Sequence, residues 1–340
     1  MKPLISDKRR RVSVLPWPAR KLADLEGAGP YDALLASVGY EPRSRAIAEG
    51  LGELPGETVA VEFQHPRPRS YEESLEWFEK QNVEINQEWD ERFLPWLLDW
   101  LKRIAARHEE ARVAIDVSSM NRPRIAAVVQ AIGEMPSDAR IVIDLLYAPS
   151  CYSPPKKLPD GVLTLRPVSA YLSGQLRSQA SPVALVGLGY EPHRAAGVFD
   201  SLEIRRVIAY VPVGPHRDFH DTVLEANQGL LGGPEEHLEV DYEVLDPFDC
   251  VVRLDGRVHG LLQAGDVPAL VPLGPKIFAL SACLVAAMHH PHVSVWRASF
   301  DKDELALKRR ADEWACGITL ALAPALPSAD EAEVADASPA

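Results

Sequence analysis

The chain carries one short signature twice. Gly39-Tyr40-Glu41-Pro42-Arg43 returns as Gly189-Tyr190-Glu191-Pro192-His193. Each copy follows an apolar run, Ala33 to Val38 in the first case and Val183 to Leu188 in the second. A second echo comes at nearly the same offset. Val59 to Phe63 leads into Gln64-His65-Pro66-Arg67, and Val207 to Val211 leads into Pro212-Val213-Gly214-Pro215-His216-Arg217. A looser third pairs Ile115-Asp116-Val117-Ser118-Ser119-Met120-Asn121-Arg122 with Leu270-Val271-Pro272-Leu273-Gly274-Pro275-Lys276. A repeat of this length is the duplication of a whole domain, because solenoid units are far shorter. The repeated residues fall in loops, where function concentrates, so two matched half-sites are expected.

Apolar runs alternate with helical patterns in both halves. The first half reads as strand 33–38, helix 43–51, strand 58–63, a long helical stretch within 70–109, strand 112–117, helix 123–133 and strand 140–147. The second reads as strand 183–188, helix 192–201, strand 206–211, helix 217–230 and strand 238–245. An undefined segment to 265, strand 268–273, helix 276–289, strand 292–297 and a last helical piece over 301–318 complete it. Strands alternating with helices predict parallel α/β sheets. The runs lack two-residue alternation, as strands buried on both faces do. The expected fold is α/β, two tandem Rossmann-like parallel-sheet domains related by internal duplication with a pseudo-twofold. An irregular N-terminal arm is expected over 1–30, the first domain over 31–150, a connection over 151–180 and the second domain over 181–320. Residues 321–340 are rich in Ala, Pro, Asp and Glu and read as a disordered acidic tail.

Two domains of ordinary size suit 340 residues. A net charge of −13 repels long nucleic acid and anionic membrane, while leaving room for a small anion held by locally gathered cations. Cys151, Cys250, Cys283 and Cys316 are scattered, with neither a disulfide framework nor zinc spacing. The polar, basic N-terminus carries no signal-peptide pattern, and runs such as Phe278 to Met288 are too short to span a bilayer, so a cytoplasmic protein is expected. His289, His290 and His292 flank Pro291 at a helix-to-strand turn and read as solvent-facing turn residues, so no metal is expected. Trp89, Phe93, Trp96 and Trp100 follow helical spacing and read as core or a subunit contact.

In open parallel sheets, ligands bind beyond the carboxyl ends of the strands. Free backbone N–H groups and the positive ends of helix dipoles point there. This acidic chain gathers its Arg, His and Lys residues at those turns. The candidate ligand residues are Gly39, Tyr40, Arg43, His65, Arg67, Ser118, Ser119, Asn121 and Arg122 in the first half. Gly189, Tyr190, His193, Arg194, Gly214, His216, Arg217, Gly274 and Lys276 are their counterparts in the second. Arginine can grip phosphate oxygens in pairs. Lys276, directly after a glycine turn and opening a helix, is the strongest single candidate. Each has a plainer reading: glycine for a tight turn, proline for a first helical turn, serine for a helix cap. The full phosphate-loop pattern and G-x-G-x-x-G are both absent, and no cofactor is expected. Catalytic first suspects are Ser118, Ser119 and Asp116, with His65 or His216 as a base, although no hydrolase elbow or zinc-enzyme motif occurs.

These loops resemble those of the CARF and SAVED families of nucleotide sensors in prokaryotic antiviral systems. Val38-Gly39-Tyr40-Glu41-Pro42 is similar to the CARF loop after the first strand. Asp116-Val117-Ser118-Ser119-Met120-Asn121-Arg122 is similar to the D-x-[ST]-x-G-T-[KR] stretch, with Met120-Asn121 in place of Gly-Thr. Pro272-Leu273-Gly274-Pro275-Lys276 departs further. The resemblance implies Rossmann-like domains, SAVED being two fused CARF units, and a cyclic oligonucleotide ligand. It also implies an effector, here either a separate protein or a binding unit that is itself catalytic, since the chain has no spare length for a conventional one.

The leading expectation is a sensor that binds a phosphate-rich nucleotide between the halves and signals to a partner protein. The alternatives are a nucleotide hydrolase or transferase, and an interaction scaffold without ligand. No long nucleic acid and no membrane is expected as partner, and a homodimer is one allowed assembly.

Overall fold

The computed structural model describes residues 10–62, 69–87, 90–154, 163–174, 182–190, 197–198, 201–204, 206–231, 236–300 and 309–324. The strands are β1 (Arg10–Lys21), β2 (Ala33–Ser37), β3 (Glu57–Val61), β4 (Glu84–Asn86), β5 (Ala111–Asp116) and β6 (Ile141–Tyr147). They continue with β7 (Leu163–Pro167), β8 (Pro182–Gly187), β9 (Arg206–Val213), β10 (Glu236–Glu243), β11 (Val267–Pro272), β12 (Ser294–Phe300) and β13 (Trp314–Pro324). One sheet runs β1-β13-β6-β5-β2-β3-β4, the other β10-β9-β8-β11-β12-β7. Strands β6-β5-β2-β3-β4 are parallel to one another, and so are β10-β9-β8-β11-β12. Numbered within its own half, each parallel block has the order 3-2-1-4-5. This is the doubly wound order, whose winding reverses between its first and fourth strands. The duplication is therefore one of topology, with switch points at β2/β5 and β8/β11.

Both faces of these strands are covered, which is why they lack alternation. Leu35 of β2 belongs to the cluster under α3 (Asp90–Arg107) and α4 (Arg122–Gly133). Leu34 and Ala36 join the opposite cluster with α1 (Ala46–Leu51) and α2 (Arg69–Lys80). In the second half the helices are α5 (Arg217–Ala226), α6 (Pro247–Gln263) and α7 (Lys276–Met288). Every residue of α7 from Ile277 to Met288 is buried, as a helix apolar all round requires. It packs on α4 and α6, so the two halves share one continuous core.

Several expectations are corrected. Residues 10–21, expected in an irregular arm, form β1, antiparallel to β13. Residues 314–324, divided between a helical piece and a tail, form β13, antiparallel to both β1 and β6. The pattern is two-residue: Cys316, Ile318, Leu320 and Leu322 are all buried. A methyl group on Gly317 would lie 2.5 Å from the Leu145 carbonyl oxygen, so the strand fits its neighbour through glycine. The connection contributes β7, antiparallel to β12. The stretch 70–109 is two helices with β4 between them, and the undefined segment before 265 is α6, capped by Asp246, whose side chain accepts from Asp249 N–H. His289, expected in solvent, is buried and its Nε2 is 2.7 Å from Asp255 Oδ1. Phe93 and Trp100 are core residues; Trp89 lies outside the described residues. Most of helix 192–201 and residues 325–340 also lie outside them.

Among the described residues no helix is long and apolar enough to cross a membrane. Nor, among those residues, does any group of His, Cys, Asp and Glu have the makings of a metal site. All four cysteines are free thiols.

Candidate functional site

At the first switch point the chain leaves β2 through Val38-Gly39-Tyr40-Glu41 and turns into a short 3-10 segment, Pro42–Arg45. It leaves β5 through Val117 to Asn121 and enters α4 at Arg122. The two loops touch. A methyl group on Gly39 would come within 2.9 Å of Ser119 Cβ and 3.0 Å of Ser44 Cβ. At the second switch point the close approach is made from the other loop, where a methyl group on Gly274 would sit 2.0 Å from the Leu188 carbonyl oxygen. Both glycines are there for clearance.

The two switch points then meet by exchange. Arg122, the first residue of α4, donates from Nη2 to the carbonyl oxygens of Leu273 (3.1 Å) and Gly274 (3.2 Å). Lys276, the first residue of α7, donates from Nζ to the Ser118 carbonyl oxygen at 3.0 Å. Ser118 and Gly274 hold equivalent places, each two residues past the end of its strand. Each helix thus reaches from its first residue to the other half's loop, the reciprocal pattern of an isologous interface.

A third segment joins them. Residues 309–313 cross from one half to the other just before β13. Arg309 accepts at its carbonyl oxygen from Arg43 N–H (3.4 Å), Arg310 from Cys151 N–H (2.9 Å), and Asp312 donates to Pro149 (2.8 Å). The buried Asp312 carboxylate reaches His216 Nε2 at 2.7 Å.

The charges in this region are strongly coupled. Burial works against the Glu41 carboxylate, but Arg43, Lys276 and Arg309 hold it below its usual range. Arg43 is buried too, yet the Glu41 contact at 2.6 Å keeps it firmly charged. Burial pushes Lys276 down to about 7; Glu41 opposes this, while Arg43, Arg122 and Arg309 add repulsion. Burial also lifts Asp116 to about 6, against hydrogen bonds from Ser118 and the charges of Arg43 and Lys276.

Of the expected ligand residues, Gly39, Tyr40, Ser118, Ser119, Arg122, Gly274 and Lys276 come together here. Tyr40 is 37% exposed. Arg43, expected to hold a phosphate, is spent on Glu41, the Ala148 carbonyl oxygen at 3.3 Å and the Tyr147 ring. Asn121 is a helix cap, accepting from Arg124 N–H at 2.8 Å and donating to Asp90 at 3.0 Å. Tyr190 packs edge-on against Tyr152 and Phe219. The Gly189 carbonyl oxygen accepts from Asn227 (2.9 Å), and Gly214 lies under the Phe219 ring. Arg217 points to solvent at the start of α5. His65, Arg67, His193 and Arg194 lie outside the described residues.

Two of the three catalytic suspects, Ser118 and Asp116, have structural partners. Ser118 Oγ is fully buried and accepts from Ala148 N–H at 2.8 Å, and Asp116 Oδ1 accepts from Ser118 N–H at 2.8 Å. Ser119 Oγ and Ser37 Oγ are buried and have no hydrogen-bond partner. Glu41, Arg309, Asp312 and Ser37 escaped the sequence reading. Glu41 was inside the repeated signature, and its acidity among basic loops was the signal. Arg309 and Asp312 had none, since their segment read as helix.

The arrangement suits anion binding: two helix N-termini, three cations and a rim tyrosine beyond the strand ends. No protein-family model matches this chain, and comparison with curated proteins finds no relative.

Proposed function

We propose that this chain is a nucleotide sensor of the CARF/SAVED type, in which a phosphate-bearing ligand sits where the two switch points meet. The observation that carries this reading is the reciprocal crossing of Arg122 and Lys276 between the halves, with Arg309 acting on the same charges. Cations are brought to the carboxyl ends of both parallel blocks, where the doubly wound fold binds phosphates. In this reading Tyr40 offers a ring to a base and Arg122, Lys276 and Arg309 face phosphate oxygens. The ligand exchanges with the cation–carbonyl contacts between the halves, changes their fit and signals to a separate effector protein in cytoplasmic antiviral defence.

Thermal unfolding against cyclic di-, tri- and tetranucleotides, nicotinamide dinucleotides and nucleoside triphosphates tests it. A ligand at ~100 times its dissociation constant adds about 2.7 kcal/mol to the native state. The expected result is a raised midpoint with one nucleotide class and an intact ligand recovered by chromatography. A flat response across the panel sinks the reading, and a cleaved ligand replaces the sensor with a hydrolase.

A further inference from the structure

The two halves treat the outer edges of their sheets differently. In the first half the edge strand β4 has three residues, and the helix that follows it, α3, contains no glycine. A very short edge strand is one of the ways proteins avoid unwanted pairing. In the second half the strand at the same place in the topology is β10, with eight residues. It pairs with β9, and among the described residues no strand lies on its other side. A long open edge of this kind is a template for another chain.

The helix that follows β10 is α6, and its flank beside this edge is bare. A cavity of about 510 Å³ opens there, lined from the sheet by Tyr210 and Val240 and from the helix by Gly256, Gly260 and Leu261. A methyl group on either glycine would meet nothing within 4 Å. Arg253 and Arg257 complete the lining, and Arg253 also reaches Asp249 at 2.6 Å. The volume is that of a binding site.

Successive side chains of a strand point to opposite faces. Leu238 and Val240 therefore share the face of Tyr242, which is packed in the core that α6 covers. Leu238 is nevertheless 44% exposed. Glu239, Asp241 and Glu243 take the other face. Glu239 and Asp241 are met by His237 at 3.8 Å and His220 at 3.4 Å. Burial and the carboxylates of Asp241, Asp246 and Asp249 push Glu243 up. The edge is thus apolar and cationic toward α6 and acidic on the other face. Two copies of this chain paired antiparallel along β10 would keep like faces on one side and set carboxylate against carboxylate, which is destabilising. The complementary occupant has the opposite charge on each face.

We propose that β10 and the bare flank of α6 form a docking groove for an extended segment of a partner protein. The segment adds as a strand beyond β10, by the main-chain pairing of strand addition. Its side chains alternate, apolar and acidic ones entering the cavity beside Arg253 and Arg257, basic ones lying against Glu239, Asp241 and Glu243.

The test measures anisotropy of labelled peptides as long as β10, eight residues. One set has Lys or Arg at alternate positions with Val, Leu, Asp or Glu between them; the other has the same composition with its basic residues in one block. The expected result is binding of the alternating set about tenfold tighter or more, a difference of ~1.4 kcal/mol. Hydrogen exchange of the β10 amides is expected to slow in that complex. Gly256→Leu/Gly260→Leu fills the flank and is expected to abolish the preference. Its unfolding midpoint is expected to be unchanged or raised, because leucine is the better helix former. Arg253→Glu/Arg257→Glu is expected to weaken most the peptides richest in Asp and Glu. Equal binding of the two sets, unprotected β10 amides, indifference to both double variants, or no binding overturns the inference. So does a dimer in sedimentation equilibrium that the leucine variant dissociates, since the edge would then belong to a second copy. Gly256 and Gly260 belong to neither switch point, so the leucine variant is expected to respond to the nucleotide panel as the wild type does.

Discussion

Gly274 and Gly256 carry opposite expectations for the same substitution. A methyl group on Gly274 meets the Leu188 carbonyl oxygen at 2.0 Å, so the backbone must move. Gly274→Ala is expected to cost ~1–3 kcal/mol, as overpacking does. Gly256, inside α6, has open space at its Cβ position, and Gly256→Ala is expected to gain ~0.5–1 kcal/mol from helix propensity. Urea unfolding of the two variants measures both. Lys276 gives a pH signature. Its amine is pushed from 10.5 to about 7 in the folded chain. Between those values the unfolded chain binds a proton that the folded chain does not, so stability rises with pH across that window. The contribution is fully present above 10.5 and is lost as pH falls through about 7. Lys276→Met is expected to flatten the rise between pH 7 and 9, read as urea midpoints relative to wild type. Comparing the two proteins in that range cancels the buried thiols and tyrosines, which are unchanged between them.

At the scale of elements, α7 decides whether the halves are separable. Its buried face touches α4 of the first half and α6 of the second, and Leu284 is fully buried. Leu284→Ala is expected to cost ~2–5 kcal/mol. Because α7 belongs to a core common to both halves, calorimetry is expected to record one transition, lowered as a unit; two separated transitions would contradict the shared core. Most elements were legible as local pattern. The parallel strands are continuous apolar runs, and α4 and α7 open with Asn-Arg-Pro and Gly-Pro-Lys. The failures share a cause. β1 and β13 contain prolines, glycine and small residues, and their strand character depends on pairing with each other and with β6, far away in sequence. The undefined segment that is α6 contains Gly256 and Gly260, which weaken a helical pattern that burial against α7 restores.

At the scale of the whole molecule, the chain's last described strand returns to the first half's sheet and lies between β1 and β6. On its way it carries Arg309 to the meeting point of the switch points and Asp312 to His216. Arg309→Ala is expected to weaken nucleotide binding about tenfold, the size of one charge-assisted hydrogen bond. It should cost no more than ~1 kcal/mol of unfolding free energy, because the buried Glu41 keeps its contact with Arg43. Calorimetric titration alongside urea unfolding checks both. The duplication and the parallel α/β class were readable from residues alone, because a repeated signature after apolar runs is information local to the chain. Four candidates named that way, Arg43, Asn121, Tyr190 and Ser118, turned out to be held by Glu41, Asp90, Phe219 and Ala148. Which cations cross between the halves, which switch point is filled by Phe278, and where β13 returns depend on contacts between residues far apart in the sequence. Such contacts are set by packing across the shared core, and a local pattern carries no record of them.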